Sequence, residues 1–72
     1  MYTIYTQAGR ACHYCKKAVD LLDNKGLPYA LRPLERPELL ERAKQANMTT
    51  VPIIYHDDVL VGGFSQLEAS FV

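Results

Sequence analysis

Cys12-His13-Tyr14-Cys15-Lys16-Lys17-Ala18-Val19-Asp20-Leu21-Leu22-Asp23-Asn24-Lys25-Gly26 decides the fold. Cys15, Ala18, Val19 and Leu22 recur at i, i+3, i+4 and i+7, the spacing of one helical face, while Lys16, Lys17, Asp20 and Asp23 occupy the others. The pattern predicts a helix from Cys12 to about Lys25, stopped by Gly26. Both cysteines of the chain lie in its opening turn. A bridge across two intervening residues closes a very small loop and restrains the unfolded chain far less than a long-range staple. The pair is placed for chemistry more than for stability.

On either side of this helix the pattern changes to strand. Tyr2-Thr3-Ile4-Tyr5-Thr6 is β-branched and aromatic, and Gln7 to Ala11, with Gly9, reads as the loop leading to Cys12. Leu27 to Pro33 is a second strand, and its prolines assign it to a sheet edge. Pro37 opens a second helix at its first position. Leu39, Leu40, Ala43 and Ala46 form that helix's buried face up to about Asn47. Val51-Pro52-Ile53-Ile54-Tyr55 and Val59-Leu60-Val61 are strands joined by a turn at His56-Asp57-Asp58. Gly62-Gly63 ends the last strand. Ser65-Gln66-Leu67-Glu68 has the form of a capping box, so a final helix is expected from Ser65 to the end of the chain. The order is β-α-β-α-β-β-α. It predicts an α/β fold in which a right-handed parallel crossover and an antiparallel hairpin share a mixed four-stranded sheet flanked by three helices.

Composition narrows the function. Seventy-two residues, 49% apolar and 22% charged, suit one globular domain spanning residues 1–72. Lys+Arg and Asp+Glu are both 8, so no basic footprint points to nucleic acid or an anionic membrane. No apolar run approaches the roughly 20 residues of a membrane helix. The start lacks a signal-peptide pattern, so the expectation is a soluble, unexported, cytoplasmic protein.

Taken alone, C-x-x-C admits a redox pair, two ligands of a metal site, or two packed cysteines. A structural zinc site needs four donors; beyond the dithiol only His13 and His56 remain, and His13, between the two cysteines on the helix start, is not expected to turn to the same centre, so no metal is expected in the monomer. The redox reading leads. A helix N-terminus presents unpaired N–H groups and partial positive charge, which favour thiolate over thiol. Arg10, His13, Lys16 and Lys17 surround the pair, and the first acid in the chain is Asp20. His13 and Lys16 are accordingly candidates for tuning the thiol. Cys12, at the mouth of the loop, is expected to be the exposed nucleophile. Cys15, on the apolar stripe, is expected to be the buried thiol that resolves a mixed disulfide.

A first strand ending in Tyr5-Thr6, C-x-Y-C opening a helix, Thr50-Val51-Pro52, and Gly62-Gly63-Phe64 before a last helix together resemble a glutaredoxin over essentially the whole chain. The short length and the G-G-F-x-Q-L ending look most like the compact glutaredoxins of some bacteriophages. The resemblance implies the thioredoxin fold and a dithiol oxidoreductase with glutathione as co-substrate. Its partners would be disulfide-containing proteins, ribonucleotide reductase among the candidates, and it would act as a monomer. It implies that Cys12 takes glutathione and that Cys15 resolves. Tyr14, Thr50, Val51, Pro52 (the family's cis-proline), Gly63, Phe64, Ser65 and Gln66 would line the glutathione groove, with the γ-glutamyl end at Gly63-Phe64-Ser65.

This chain departs from the family at three places. Gln7 stands near the usual lysine for the glycyl carboxylate, and Arg10 is the expected substitute, with Lys44 a weaker candidate. Gln66 replaces a common aspartate, which weakens glutathione binding by about 1 kcal/mol for one lost charge-assisted contact. Weaker binding leaves a second reading open, a glutaredoxin-like redoxin recharged by thioredoxin reductase and serving ribonucleotide reductase. Those redoxins usually end in S-G-F-x-P, which Gly62-Gly63-Phe64-Ser65 does not match. A third, non-enzymatic reading is a dimer holding a [2Fe–2S] cluster through Cys12 of each subunit and two glutathiones. Finally, His13 replaces a proline. An imidazole beside the thiolate is expected to stabilise the reduced form and make the disulfide more oxidising. A His13→Pro variant should then have the more negative reduction potential, measured by equilibration with glutathione buffers; equal potentials would remove the effect.

Overall fold

The computed structural model describes residues 1–71. The elements run β1 (Tyr2–Gln7), α1 (His13–Asn24), β2 (Tyr29–Leu34), α2 (Arg36–Gln45), β3 (Ile53–His56), β4 (Val59–Gly62) and α3 (Phe64–Ala69). The expected order of elements is observed. The strands form one sheet in the order β2-β1-β3-β4, with β1 parallel to β2 and antiparallel to β3, and β3 antiparallel to β4. β2 with its Pro33 lies at an edge, as its prolines require. No helix among the described residues is long and apolar enough to cross a membrane.

The alternation of side chains along β1 sorts the core into two layers. Tyr2 and Ile4 pack with Ile54 of β3 against Ala18 and Leu22 of α1 and Leu67 of α3. Ile53 points the other way and packs with Leu39 of α2 and Ala46, the helix's C-cap, with Tyr5 and Tyr55 partly buried beside them. A one-residue slip in β3 would exchange the environments of Ile53 and Ile54, so the register is fixed by burial on both faces.

Helix ends account for most differences from the expected boundaries. Cys12 and Lys25 are the caps of α1, not members of it. Gly26 (φ +67°) closes the helix in a Schellman motif: its N–H donates to Asp23 O at 3.0 Å, and the Leu27 N–H donates to Leu22 O at 3.0 Å. Leu27 has therefore spent its donor on the helix and Pro28 has none, so β2 starts at Tyr29 instead of Leu27. Asn47 (φ +54°) ends α2 in the same way, with Met48 N–H donating to Ala43 O at 2.8 Å. Pro37 is the second residue of α2, because Glu35 takes the cap position. Leu40 is exposed, contrary to its expected place on the buried face. The helix lies on the sheet along a narrow line through Leu39, Ala43 and Ala46, and position 40 falls beside that line. β1 continues through Gln7, which pairs with Leu34.

The last helix corrects the expected capping box. Gly63, not Ser65, is the N-cap of α3, and Gln66 at the third helical position turns back so that its Oε1 accepts the Gly63 N–H at 2.9 Å. A glycine can take this place because the reciprocal bond needs only its backbone N–H. The helix ends at Ala69 with Ser70 as its C-cap, short of the expected run to the end of the chain, of which Val72 lies outside the described residues.

The β3–β4 turn is Asp57-Asp58, with Asp57 left-handed at φ +55°. The Met1 ammonium pairs with the Asp57 carboxylate and holds it below the usual carboxylate range. Gly62 has φ +121°, and a methyl group there would meet Gln66 Cγ at 2.9 Å. Gly62→Ala is expected to cost about 1–3 kcal/mol, or roughly 5–15 °C in Tm by thermal circular dichroism. Gly26→Ala, also left-handed but with nothing within 4 Å of the added carbon, should cost only about 1 kcal/mol.

Candidate active site

Cys12 sits where the loop after β1 meets α1. Its backbone is extended (φ −137°, ψ 111°), and its Sγ accepts the Cys15 N–H at 3.2 Å, satisfying one donor that the helix start would otherwise leave open. The two cysteines form a disulfide with Cα atoms 5.2 Å apart. Cys12 is half-buried, whereas Cys15 is 6% exposed beside Ala18 on the stripe that faces the sheet. His13 is exposed and meets the Tyr14 ring edge-on.

On the β3–β4 flank lies an open groove of about 590 Å³ that reaches the C-x-x-C segment at Tyr14. It is lined by Tyr14 of α1, by Asn47 to Pro52 ahead of β3, and by Gly63 to Gln66 at the start of α3. The Val51–Pro52 peptide bond is cis, and Pro52 is fully buried. Tyr14 and Phe64 face each other with ring centroids 6.0 Å apart, and Lys17 Nζ lies 5.4 Å from the first ring and 5.6 Å from the second. This cation–π clasp joins α1 to α3 across one end of the groove.

Of the residues that sequence reasoning assigned to glutathione, Tyr14, Thr50, Val51, Pro52, Gly63, Phe64, Ser65 and Gln66 line this groove together. Arg10 does not. It lines a separate depression with Lys16 on the opposite flank of the dithiol. Lys44 is exposed near the end of α2 and lines neither cavity. A second cleft of about 370 Å³ shares Thr49, Thr50 and Val51 with the groove and carries it on to Gln7 of β1 and Arg36 of α2. Arg36 escaped the sequence reading. Its one signal was position: a cation two residues past the second strand, at the start of a helix over the same sheet face as Val51. Among the described residues, no three His, Cys, Asp or Glu side chains are grouped to hold a metal ion.

A family model described as Glutaredoxin matches residues 2–61. The chain belongs to the glutaredoxin family. A glutaredoxin of Pseudomonas aeruginosa is 41% identical over 68 residues, which cover 92% of this chain and 79% of that one. Glutaredoxin 3 of Escherichia coli K12 is 35% identical over the same length, covering 80% of that protein. Among solved structures, glutaredoxin 1 of Francisella tularensis superposes with a TM-score of 0.79 at 26% identity, over 97% of this chain and 90% of that one. A buckwheat glutaredoxin in complex with glutathione gives 0.82 at 17% identity, over 97% of this chain and 66% of that one. The sheet and helices are thus the thioredoxin fold of glutaredoxins. Like the rest of the family, this glutaredoxin is a thiol–disulfide oxidoreductase with Cys12–Cys15 as its redox-active pair.

The burial difference gives a direct chemical expectation. After reduction, limiting iodoacetamide should label Cys12 well before Cys15, as read by peptide mass spectrometry, because the half-buried Cys12 is the more accessible of the two thiols. Equal labelling would mean that the two sulfurs share one environment.

Proposed function

We propose that this glutaredoxin is a dithiol enzyme that reduces protein disulfides and glutathione mixed disulfides and is recharged by glutathione. The observation that carries the reading is the groove. Three segments far apart in sequence, at Tyr14 between the two cysteines, Thr50–Pro52 and Gly63–Gln66, converge on one cavity. In this reading Cys12 attacks the mixed disulfide and takes the glutathionyl group. A second glutathione, or Cys15 from within, then displaces the bound sulfur. The Val51 main chain pairs with the glutathione backbone, and Tyr14 packs against it. The γ-glutamyl end sits at Gly63, Phe64 and Ser65, where first-turn N–H groups suit a carboxylate. Arg36, at the far end of the continued groove, takes the glycyl carboxylate in place of the lysine common near Gln7; its planar fork suits that group. His13 and Lys16 influence the Cys12 thiolate from the helix start. The enzyme works as a single-domain monomer without a metal, in the reducing cytoplasm.

One observation favours a redoxin recharged by thioredoxin reductase instead. Gln66 not only lacks the charge the family often has there; its Oε1 is also engaged in capping α3. A redoxin of Escherichia coli with thioredoxin-like activity, NrdH, shares the fold with a TM-score of 0.73 at 22% identity.

NADPH consumption with a small glutathione mixed disulfide separates the two. Turnover is expected with glutathione and glutathione reductase, and lost in Cys12→Ser. Cys15→Ser should keep activity on this substrate but lose it on protein disulfides. Arg36→Ala should raise KM about fivefold to tenfold with kcat little changed, the loss of one charge-assisted contact. Turnover with thioredoxin reductase alone would replace the glutathione reading by the redoxin.

A further inference from the structure

The dithiol has a second flank. In the strand order β2-β1-β3-β4, the groove lies on the side of β3 and β4, and the opposite side of β1 holds a depression of about 320 Å³ that shares no residue with it. Cys12 and Cys15 both line this depression. Val19 of α1 and Leu31 of β2 supply its apolar surface, and Leu31 is 49% exposed on the free edge strand. Arg10 and Lys16, both exposed, bring two cations to it. No acidic residue precedes Asp20 in the chain, so α1's first turn and the loop before it add no opposing charge. An apolar surface with a cationic rim, touching the reacting sulfurs and free of the glutathione groove, has the features of a substrate site of its own.

We propose that this depression receives the polypeptide segment flanking the disulfide of a protein substrate, and that it selects segments combining an apolar side chain with acidic neighbours. The proposal rests on Cys12 as the nucleophile. The Cys12 thiolate attacks the substrate disulfide; that S–S bond breaks, a Cys12–substrate bond forms, and the departing thiolate takes up a proton. Cys15, deprotonated, then attacks Cys12 Sγ, expels the second substrate thiolate and closes the Cys12–Cys15 disulfide. Two electrons pass from the dithiol to the substrate. While the mixed disulfide exists, the apolar side chain beside the substrate cysteine rests on Val19 and Leu31 and its acids meet Arg10 and Lys16. The glutathione groove stays open throughout, so a peptide and glutathione are received on different flanks of one sulfur.

The test uses the pre-reduced protein in single turnover, without a recharging system. Two disulfide-bridged peptides share one leucine beside a cysteine and differ only in acidic or basic neighbours. The small glutathione mixed disulfide serves as a third substrate. The acidic peptide should react about tenfold faster than the basic one at low salt, and the gap should narrow as salt is added. Leu31→Gln, a surface change outside the dithiol and groove, should slow the acidic peptide about fivefold and leave the small substrate within about twofold. Arg10→Glu with Lys16→Glu should invert the ratio of the two peptide rates. A change in thiol reactivity alone would move both peptides together, so the ratio isolates docking. Equal rates for the two peptides, or a Leu31→Gln effect of the same size on the small substrate, would overturn the proposal. Failure of the Cys12 reading looks different: Cys12→Ser would then react with all three substrates as fast as the parent.

Discussion

A single hydrogen bond, from the Cys15 N–H to Cys12 Sγ, sets the chemistry of this domain. A helix start leaves N–H groups without partners, and here a sulfur supplies one acceptor. The choice of Cys12 as cap fixes its extended backbone and partial exposure. It also fixes Cys15 as the third helical residue, on the stripe with Ala18 and Leu22. The inequality between the two thiols is thus a property of one cap. Nothing else has to distinguish them.

The rest of the molecule holds that cap against its surroundings. Ala18 and Leu22 pack on Ile4 and Ile54 and against Leu67 of α3, so the helix bearing the dithiol and the helix closing the groove share one apolar layer. The middle segment of the groove is anchored on the other layer, where Ile53 follows the buried Pro52 and packs on Leu39 and Ala46. The groove therefore spans two packed layers, and its width depends on both. At its third corner, Gln66 folds back over Gly62 and Gly63 at a distance no side chain at position 62 would permit. Shape at the site is imposed by packing from three directions, which is how short loops with few contacts of their own are kept in place.

Much of this was readable in advance. Periodicity placed α1 and its stripe, the prolines of β2 put it at an edge, and Gly26 marked a helix stop that takes the form of a full Schellman motif. The three motifs of the groove were legible through their resemblance to those of a glutaredoxin, not through periodicity. What sequence could not decide was competition between local options. Ser65 was the expected cap of α3; the position went to Gly63, whose N–H the Gln66 side chain reaches. Leu39 and Leu40 are chemically equal, and only the line along which α2 meets the sheet buries one and exposes the other. Arg10 was the expected substitute for the usual lysine near Gln7, and Arg36 was not considered; the loop carries Arg10 to the β2 flank, while the crossover brings Arg36 to the end of the groove. Proximity in sequence is a poor guide to which side of a strand a side chain serves.

The 5.2 Å between the Cα atoms of Cys12 and Cys15 is an ordinary spacing for neighbours one helical turn apart. Such a spacing lets the bond open through side-chain torsions alone, without asking the backbone to move. A docked molecule then meets nearly the same surface whichever form it encounters, and a surface with no differential affinity cannot bias an equilibrium. The domain acts as a two-way relay rather than a ratchet. The direction in which electrons flow through it is set by the reduction potentials of the couples on its two sides, each at its own ratio of thiol to disulfide, and not by the protein's shape.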